Sequence, residues 1–261
     1  MRLTVCALVV AAALPLLAED LTILSKVTRD GGAPQTTASY ISSDHIRMSL
    51  PIIGQEMILT IASGDITMLD PAKKTYFIMT RQDMEAMKAK IQEPMKKAEE
   101  VMKDLPPDQK AEWEATIEGM VTITVEKSGT SRTIAGYDCD NWTVSFKDFT
   151  KSEQCMTTQL KFPAAAWEAY KGLTDPMQAT MAAMGPTSAG AAKMQEQFEK
   201  MKGFPLANTT TIMPEPKIVI ATEVTSVKYG PIPASVFEIP AGYKKIDNPI
   251  TKAMERLEKR P

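Results

Sequence analysis

Short β-type runs come in blocks in this chain, and they are never interleaved one by one with helices. "LTILSKVT" (21–28), "HIRMSL" (45–50) and "EMILTIA" (56–62) are divided by turn-rich segments such as "RDGGAPQ" and "PIIGQ". "GDITMLDPAKKTYFIMT" continues as two more strands around "DPAKK", where Pro71 supplies the fixed φ that a turn wants. Helical sequence follows over 80–105 and 106–120, the latter opened by prolines. β-type sequence returns at 121–127, 141–146 and 153–160. A second helical block runs from "AAAWEAYKGL" to "EKMKG", broken near 185, 186 and 190, and the last strands are 208–214 and 217–230. An order of strands, helices, strands, helices, strands has no regular βαβ alternation. It therefore predicts an antiparallel α+β domain, not a parallel doubly wound one.

The first block of strands is apolar on both sides. Met57, Leu59 and Ile61 lie on one face and Ile58 and Ala62 on the other, and Tyr76 and Ile78 likewise oppose Phe77 and Met79. A sheet with one wet face alternates apolar and polar residues more cleanly. These strands want cover on both faces, or they line a cavity. Thr80 and Asp83 fit a capping box that starts a helix. Met84, Met87, Ile91, Met95, Ala98 and Met102 then recur every three or four residues, on one helix face. Pro94 is expected to kink or divide that helix. Together these residues predict an apolar cavity roofed by Met84, Met87, Ile91 and Met95, with Phe77 or Ile78 on the sheet side.

Methionine is abundant, 18 residues against 7 phenylalanines. Met177, Met181 and Met184 share a helical face that Met194 and Met201 extend. Three readings are open: methionine as filler of an irregular core, as a pliable wall adapting to ligands, or as thioether ligands for Cu(I). No histidine accompanies the cluster, and the first two readings outweigh copper.

Compartment comes from the first eighteen residues. Arg2, an apolar run from Leu3 to Leu17, a small residue at Ala18 and then Glu19 and Asp20 describe a secretory signal peptide, with Leu16 its one irregular position. The run is short for a membrane span, and nothing behind it reads as another. The expected organisation is a signal peptide at 1–18, one domain over 19–247, and a short amphipathic helix or tail at 248–261. Such a chain is exported to the periplasm. Cys6 leaves with the leader, so Cys139 and Cys155 remain in an oxidising compartment and are expected to form a disulfide around the hairpin "NWTVSFKDFTKSEQC". Free thiols or a redox pair are the alternatives.

Other chemistry is sparse. There is no Gly-rich phosphate loop, no HExxH, no GxSxG and no CxxC, and no catalytic residue, metal ligand or cofactor is expected. Asp138 and Asp140 beside Cys139 read as solvated residues, and His45, the one histidine, as a surface or edge residue. "NWT" and "NTT" fit a glycosylation pattern that carries no weight in a bacterial-type exported chain. A formal net charge of −2 gives no reason to expect nucleic acid as a partner.

"GDITMLDPAKKTY", "TIAGYDC", "GFPL", "TEVTSV" and "VFEIPAGYKK" together resemble an uncharacterised family of exported bacterial proteins, a domain of unknown function. That family looks related to the periplasmic lipoprotein-carrier superfamily of LolA- and LolB-like proteins. The resemblance runs from about residue 64 to 245. It implies an unclosed antiparallel half-barrel whose concave face is covered by helices over an apolar cavity, and it supplies no catalytic residues. The expected function is a non-catalytic binder or carrier of an apolar ligand, such as a lipid or lipidated protein. The rival is a structural or interaction protein of the envelope with a filled core.

Overall fold

The computed structural model describes residues 20–51, 53–109, 123–146, 149–171, 196–213 and 216–252. The expected leader at 1–18, all but the first four residues of the helix read over 106–120, Met177, Met181, Met184 and Met194, and the end of the tail from 253 lie outside these residues.

Six strands form a first meander: β1 (Leu21–Arg29), β2 (Gln35–Ile41), β3 (His45–Leu50), β4 (Gln55–Thr60), β5 (Asp65–Asp70) and β6 (Thr75–Met79). The helix α1 (Arg81–Lys103) follows. A second meander is built from β7 (Ile123–Ile134), β8 (Tyr137–Phe146), β9 (Thr150–Thr157), β10 (Phe204–Ile212) and β11 (Ile218–Tyr229). Pairing of β1 with β11, Leu21 opposite Tyr229 and Ile23 opposite Val227, fuses the two meanders. A two-residue strand, β12 (Lys244–Lys245), adds to β6 in parallel. Among the described residues this makes one 12-stranded sheet in the order β12-β6-β5-β4-β3-β2-β1-β11-β10-β9-β8-β7. Among the described residues the sheet is large, unclosed and antiparallel apart from β12, with few helices. Its antiparallel pairing is what the block order predicts, and its unclosed form is what the family resemblance implies.

Several boundaries differ from the sequence reading, each for a physical reason. β2 is absent from that reading because "QTTASYI" offers no run of large apolar residues, yet seven of its residues pair with β1. β7 continues to Ile134 and β8 starts at Tyr137, because Ala135 and Gly136 both adopt positive φ, 51° and 87°. Two such residues make the tight turn whose twist matches a hairpin. β10 starts at Phe204, not at 208, beyond a bulge between Pro205 and Ala207. α1 continues through Pro94 undivided. The missing amide removes one i→i−4 bond only, and the helix keeps its N-terminal box: the Thr80 amide donates to Asp83 Oδ2 (2.8 Å), and the Asp83 amide to Thr80 Oγ1 (3.1 Å).

The cysteines are bridged, with Cα atoms 5.3 Å apart. Both lie inside strands and do not flank the hairpin. Cys155 stands opposite Asn141, so the bridge to Cys139 runs diagonally between β8 and β9. Both residues are buried. Closing a loop of 16 residues in this way contributes about 3 kcal/mol in the chain-entropy treatment.

Both faces of the first meander are covered, as their two-sided pattern demands. On the front, Ile46, Leu59 and Ile66 are buried in the main core with Leu21, Ile23 and Ile41. On the back, Ile58 and Leu69 are 4% and 1% exposed. Part of the back cover is the C-terminal segment. It leaves β11 beside β1, where the Gly230 amide donates to the Asp20 carbonyl (3.0 Å) and the Ile232 amide to Asp20 Oδ2 (3.2 Å). One turn of 3-10 helix, Ala234–Phe237, then meets β3. Arg47 donates from Nε and Nη2 to Glu56 Oε2 and from Nη1 to the Val236 carbonyl (2.6 Å). His45 stacks on Phe237 with ring centroids 5.3 Å apart. The histidine is thus half-buried on an interior strand, not at an edge, which corrects the sequence reading. The segment ends at β12, where the Lys244 amide donates to the Lys74 carbonyl (2.9 Å) and the Ile246 amide to the Tyr76 carbonyl (2.8 Å).

Candidate functional site

The front face of the first meander carries a methionine row that register assembles from separate strands. In β3, Ile46, Met48 and Leu50 point forward while His45 and Arg47 point back. Met48 stands opposite Met57, Met57 opposite Met68, and Met68 opposite Phe77. Four side chains from β3, β4, β5 and β6 therefore lie in one line. At the usual strand spacing that line is about 14 Å long. Ser39 of β2, opposite Met48, interrupts the row with a hydroxyl before it continues to Ile23 of β1. A second row beside it runs Ile46, Leu59, Ile66, Met79. Met57 and Phe77 are buried, while Met48, Met68 and Met79 are only half-buried and pack against the core from its rim. Methionine at such a rim presents a polarisable, flexible surface that fits contacts of varied shape.

Helical residues reach the same core from two places. Met84, in the first turn of α1, packs against it, and so do Ala166, Ala169 and Tyr170 of helical residues 164–171. Around the latter an aromatic group forms. Phe162 stacks on Trp167 (4.9 Å), Trp167 on Tyr170 (5.7 Å), and Phe204 lies 5.4 Å from Phe162 and 5.9 Å from Tyr170. Burial raises the Tyr170 phenol above its ordinary pKa. The pattern of "AAAWEAYKGL" predicts a helix and gives no sign of this aromatic group by composition alone. The signal available was the spacing of Trp167 and Tyr170, three residues apart on one helix face.

The sequence-predicted wall residues are divided among these places. Phe77 belongs to the front row. Ile78 stands opposite Thr67 and so points to the back, away from Met84. Met87 lines a cleft of about 50 Å³ with Met79, Asp83, Ala86, Lys90, Asn248, Ile250 and Thr251, between α1 and the chain following β12. The side chains of Ile91 and Met95 lie outside what the structure describes. Met201, the described member of the second methionine group, packs with Phe198 on a smaller apolar cluster of Ile123, Val125 and Val144, which is core packing. Among the described residues, no three or more His, Cys, Asp or Glu side chains converge as a metal site would require.

The carboxylates beside Cys139 are engaged by side chains of β7. Asp140 accepts from Ser131 (2.6 Å) and pairs with Lys127 (2.7 Å), and these hydrogen bonds hold its carboxyl below the ordinary range. Asp138 accepts from the Thr133 hydroxyl at 2.7 Å.

Comparison with known proteins supplies a family. The sequence profile described as "Domain of unknown function (DUF4412)" matches residues 26–243. No curated protein sequence matches the chain. Among solved structures, PNGF-II is similar with a TM-score of 0.41 at 12% identity, covering 93% of this chain and 33% of its own. The chain thus spans about a third of that protein's length. A LolA superfamily protein from Nitrosomonas europaea gives a TM-score of 0.23 at 8% identity, covering 86% of this chain and 91% of its own. At these scores neither likeness carries weight for fold or function.

Proposed function

The chain belongs to the DUF4412 family, and from that premise we propose that it is a non-catalytic binder or carrier of an apolar ligand, a lipid or the lipid chain of a lipidated protein, working in the periplasm. The observation that carries this reading is the row Met48–Met57–Met68–Phe77, two of whose methionines are half-buried. A line of about 14 Å matches the length of a medium acyl chain laid across four strands. Met84 would roof one end of it, and the helices would cover this face with the ligand between them and the sheet. Ser39, beside Met48, offers a hydroxyl to a polar group of the ligand.

A second reading, an envelope protein with a filled core that acts through interaction, is favoured by one observation. The cleft at Met87 measures about 50 Å³, well below the roughly 300–1,000 Å³ of ordinary ligand pockets.

The two readings separate on one variant. Met68→Ser should weaken binding of fatty acids, phospholipids and apolar dyes by the protein while lowering its stability only modestly, since Met68 is already half-exposed. If wild type binds none of that panel, and Met68→Ser costs the roughly 2–5 kcal/mol typical of a packed core position, the filled-core reading replaces the carrier.

A further inference from the structure

Two lysine pairs far apart in sequence meet at one edge of the sheet. Lys73 and Lys74 occupy the turn into β6, and Lys244 and Lys245 form β12, which pairs with the start of β6 through Thr75 and Tyr76. The Lys244 amide on the Lys74 carbonyl (2.9 Å) fixes the two pairs side by side. Lys73 is matched by Asp70 at 2.8 Å, and the nearby Asp247 is taken by Lys252 at 2.7 Å. Among the described residues, no acidic side chain partners Lys74, Lys244 or Lys245, and all three are exposed. This edge is therefore locally positive on a chain whose net charge is −2. Directly after it come two exposed isoleucines, Ile246 at 42% and Ile250 at 39%.

We propose that this edge docks the protein on an anionic lipid bilayer, the lysines meeting headgroup phosphates and the isoleucines entering the boundary between headgroups and chains. Basic residues beside exposed apolar ones are the combination that interfacial binding uses, because surface potential draws the protein in and apolar burial holds it. Charge complementarity favours a bilayer over a neutral partner. An extended surface of phosphates engages three unpaired lysines at once, and a lipid boundary also satisfies the isoleucines, which a soluble acidic peptide does not. The inference does not rest on the apolar ligand proposed above: loss of dye binding with vesicle binding intact would overturn that reading and leave this one standing.

The test is co-sedimentation of the purified native protein with vesicles of phosphatidylcholine alone and of phosphatidylcholine with phosphatidylglycerol, at low and high salt. Binding is expected to the anionic vesicles only, and to weaken with salt. Each lysine near such a surface contributes roughly a fivefold factor in partitioning, so Lys74→Gln, Lys244→Gln and Lys245→Gln combined should lower it roughly a hundredfold. Ile246→Ser should lower binding at both salt concentrations without changing its salt dependence. The thermal transition of each variant is read in parallel, and all should fold, because the substituted side chains are exposed. Equal binding to neutral and anionic vesicles, no binding at low salt, or unchanged binding by the folded triple variant would each overturn the proposal. So would capture of acidic protein partners by an edge that leaves anionic vesicles unbound.

Discussion

Gly203 tests how tightly β10 is set against β9. It immediately precedes β10, with φ at +106°, a region that side chains other than glycine rarely enter. A Cβ placed there would lie 2.7 Å from the Thr157 carbonyl carbon and closer still to its oxygen. These are backbone atoms of the neighbouring strand, so nothing flexible can swing aside. Ordinary C···O contacts start at about 3.3 Å, and the strands must separate or Gly203 must change φ. Either response disturbs the pairing of Phe204 with Thr157 that opens the β9–β10 ladder. Thr157 and Leu206 are 2% and 0% exposed, so the disturbance reaches the core directly. Backbone strain of about 1–3 kcal/mol and overpacking of about 1–3 kcal/mol together predict that Gly203→Ala destabilises the protein by about 2–6 kcal/mol. Urea unfolding of the oxidised protein, followed by far-UV circular dichroism, would measure it. Gly64→Ala is the control, since its Cβ would meet the mobile Arg81 guanidinium 2.8 Å away at a φ of +75°, and it should cost less. A loss below about 1 kcal/mol for Gly203→Ala would refute the reasoning, because a close approach to rigid backbone cannot be that mild.

Other expectations follow from the same description. Arg47→Ala removes the donor shared by Glu56 and the Val236 carbonyl, so stability should fall by about 1.5–3 kcal/mol. Limited proteolysis should then cut first between 231 and 246, and an unchanged cleavage pattern would show that the segment is held otherwise. Ala135→Asn keeps the positive φ of 51° with a residue that tolerates it, so thermal unfolding should shift upward, by about 0.5–1 kcal/mol in stability. Acid should act through Asp83 and Asp140, whose carboxyls are held low by hydrogen bonds from Thr80 and from Lys127 and Ser131 respectively. Their folded pKa values lie below the unfolded ones, so the stability they lend is present above about pH 4 and is lost as pH falls from there. Asp83→Asn with Asp140→Asn should flatten the acid limb of the stability profile, and identical limbs for variant and wild type would contradict this.

Much of the sheet was legible because alternation and turn residues are local signals. β1, β3 and β4 were readable within a residue or two, and so was the need for cover behind Ile58. What provides that cover was not readable. The segment from Gly230 to Ile246 is Pro-rich and irregular, and its contacts with β3 span almost 190 residues of sequence. β12 was invisible for a related reason, since two residues joining an edge in parallel have no pattern of their own. The methionine row shows a third limit. Met48, Met57 and Met68 each sat on strands that could be recognised, but their alignment depends on hairpin register, which turn geometry sets and composition does not. The helix signal at Met84 and Met87 was sound, while Phe77 and Ile78 were equal candidates until pairing with β5 separated them.

The placement of β1 at the seam between the meanders has a kinetic consequence. Leu21 pairs with Tyr229, so the middle of the sheet joins segments that are made about two hundred residues apart. Within each meander every strand pairs with its neighbour in sequence, so each can zip up early. The joint between them must wait for nearly the whole chain, after a loop closure whose entropy cost precedes any return. Until β11 arrives, one long side of β1 stays open to pairing with any extended strand, including that of another copy. A chain built this way is most vulnerable to mispairing late in its synthesis, when one half is complete and its permanent neighbour is still missing.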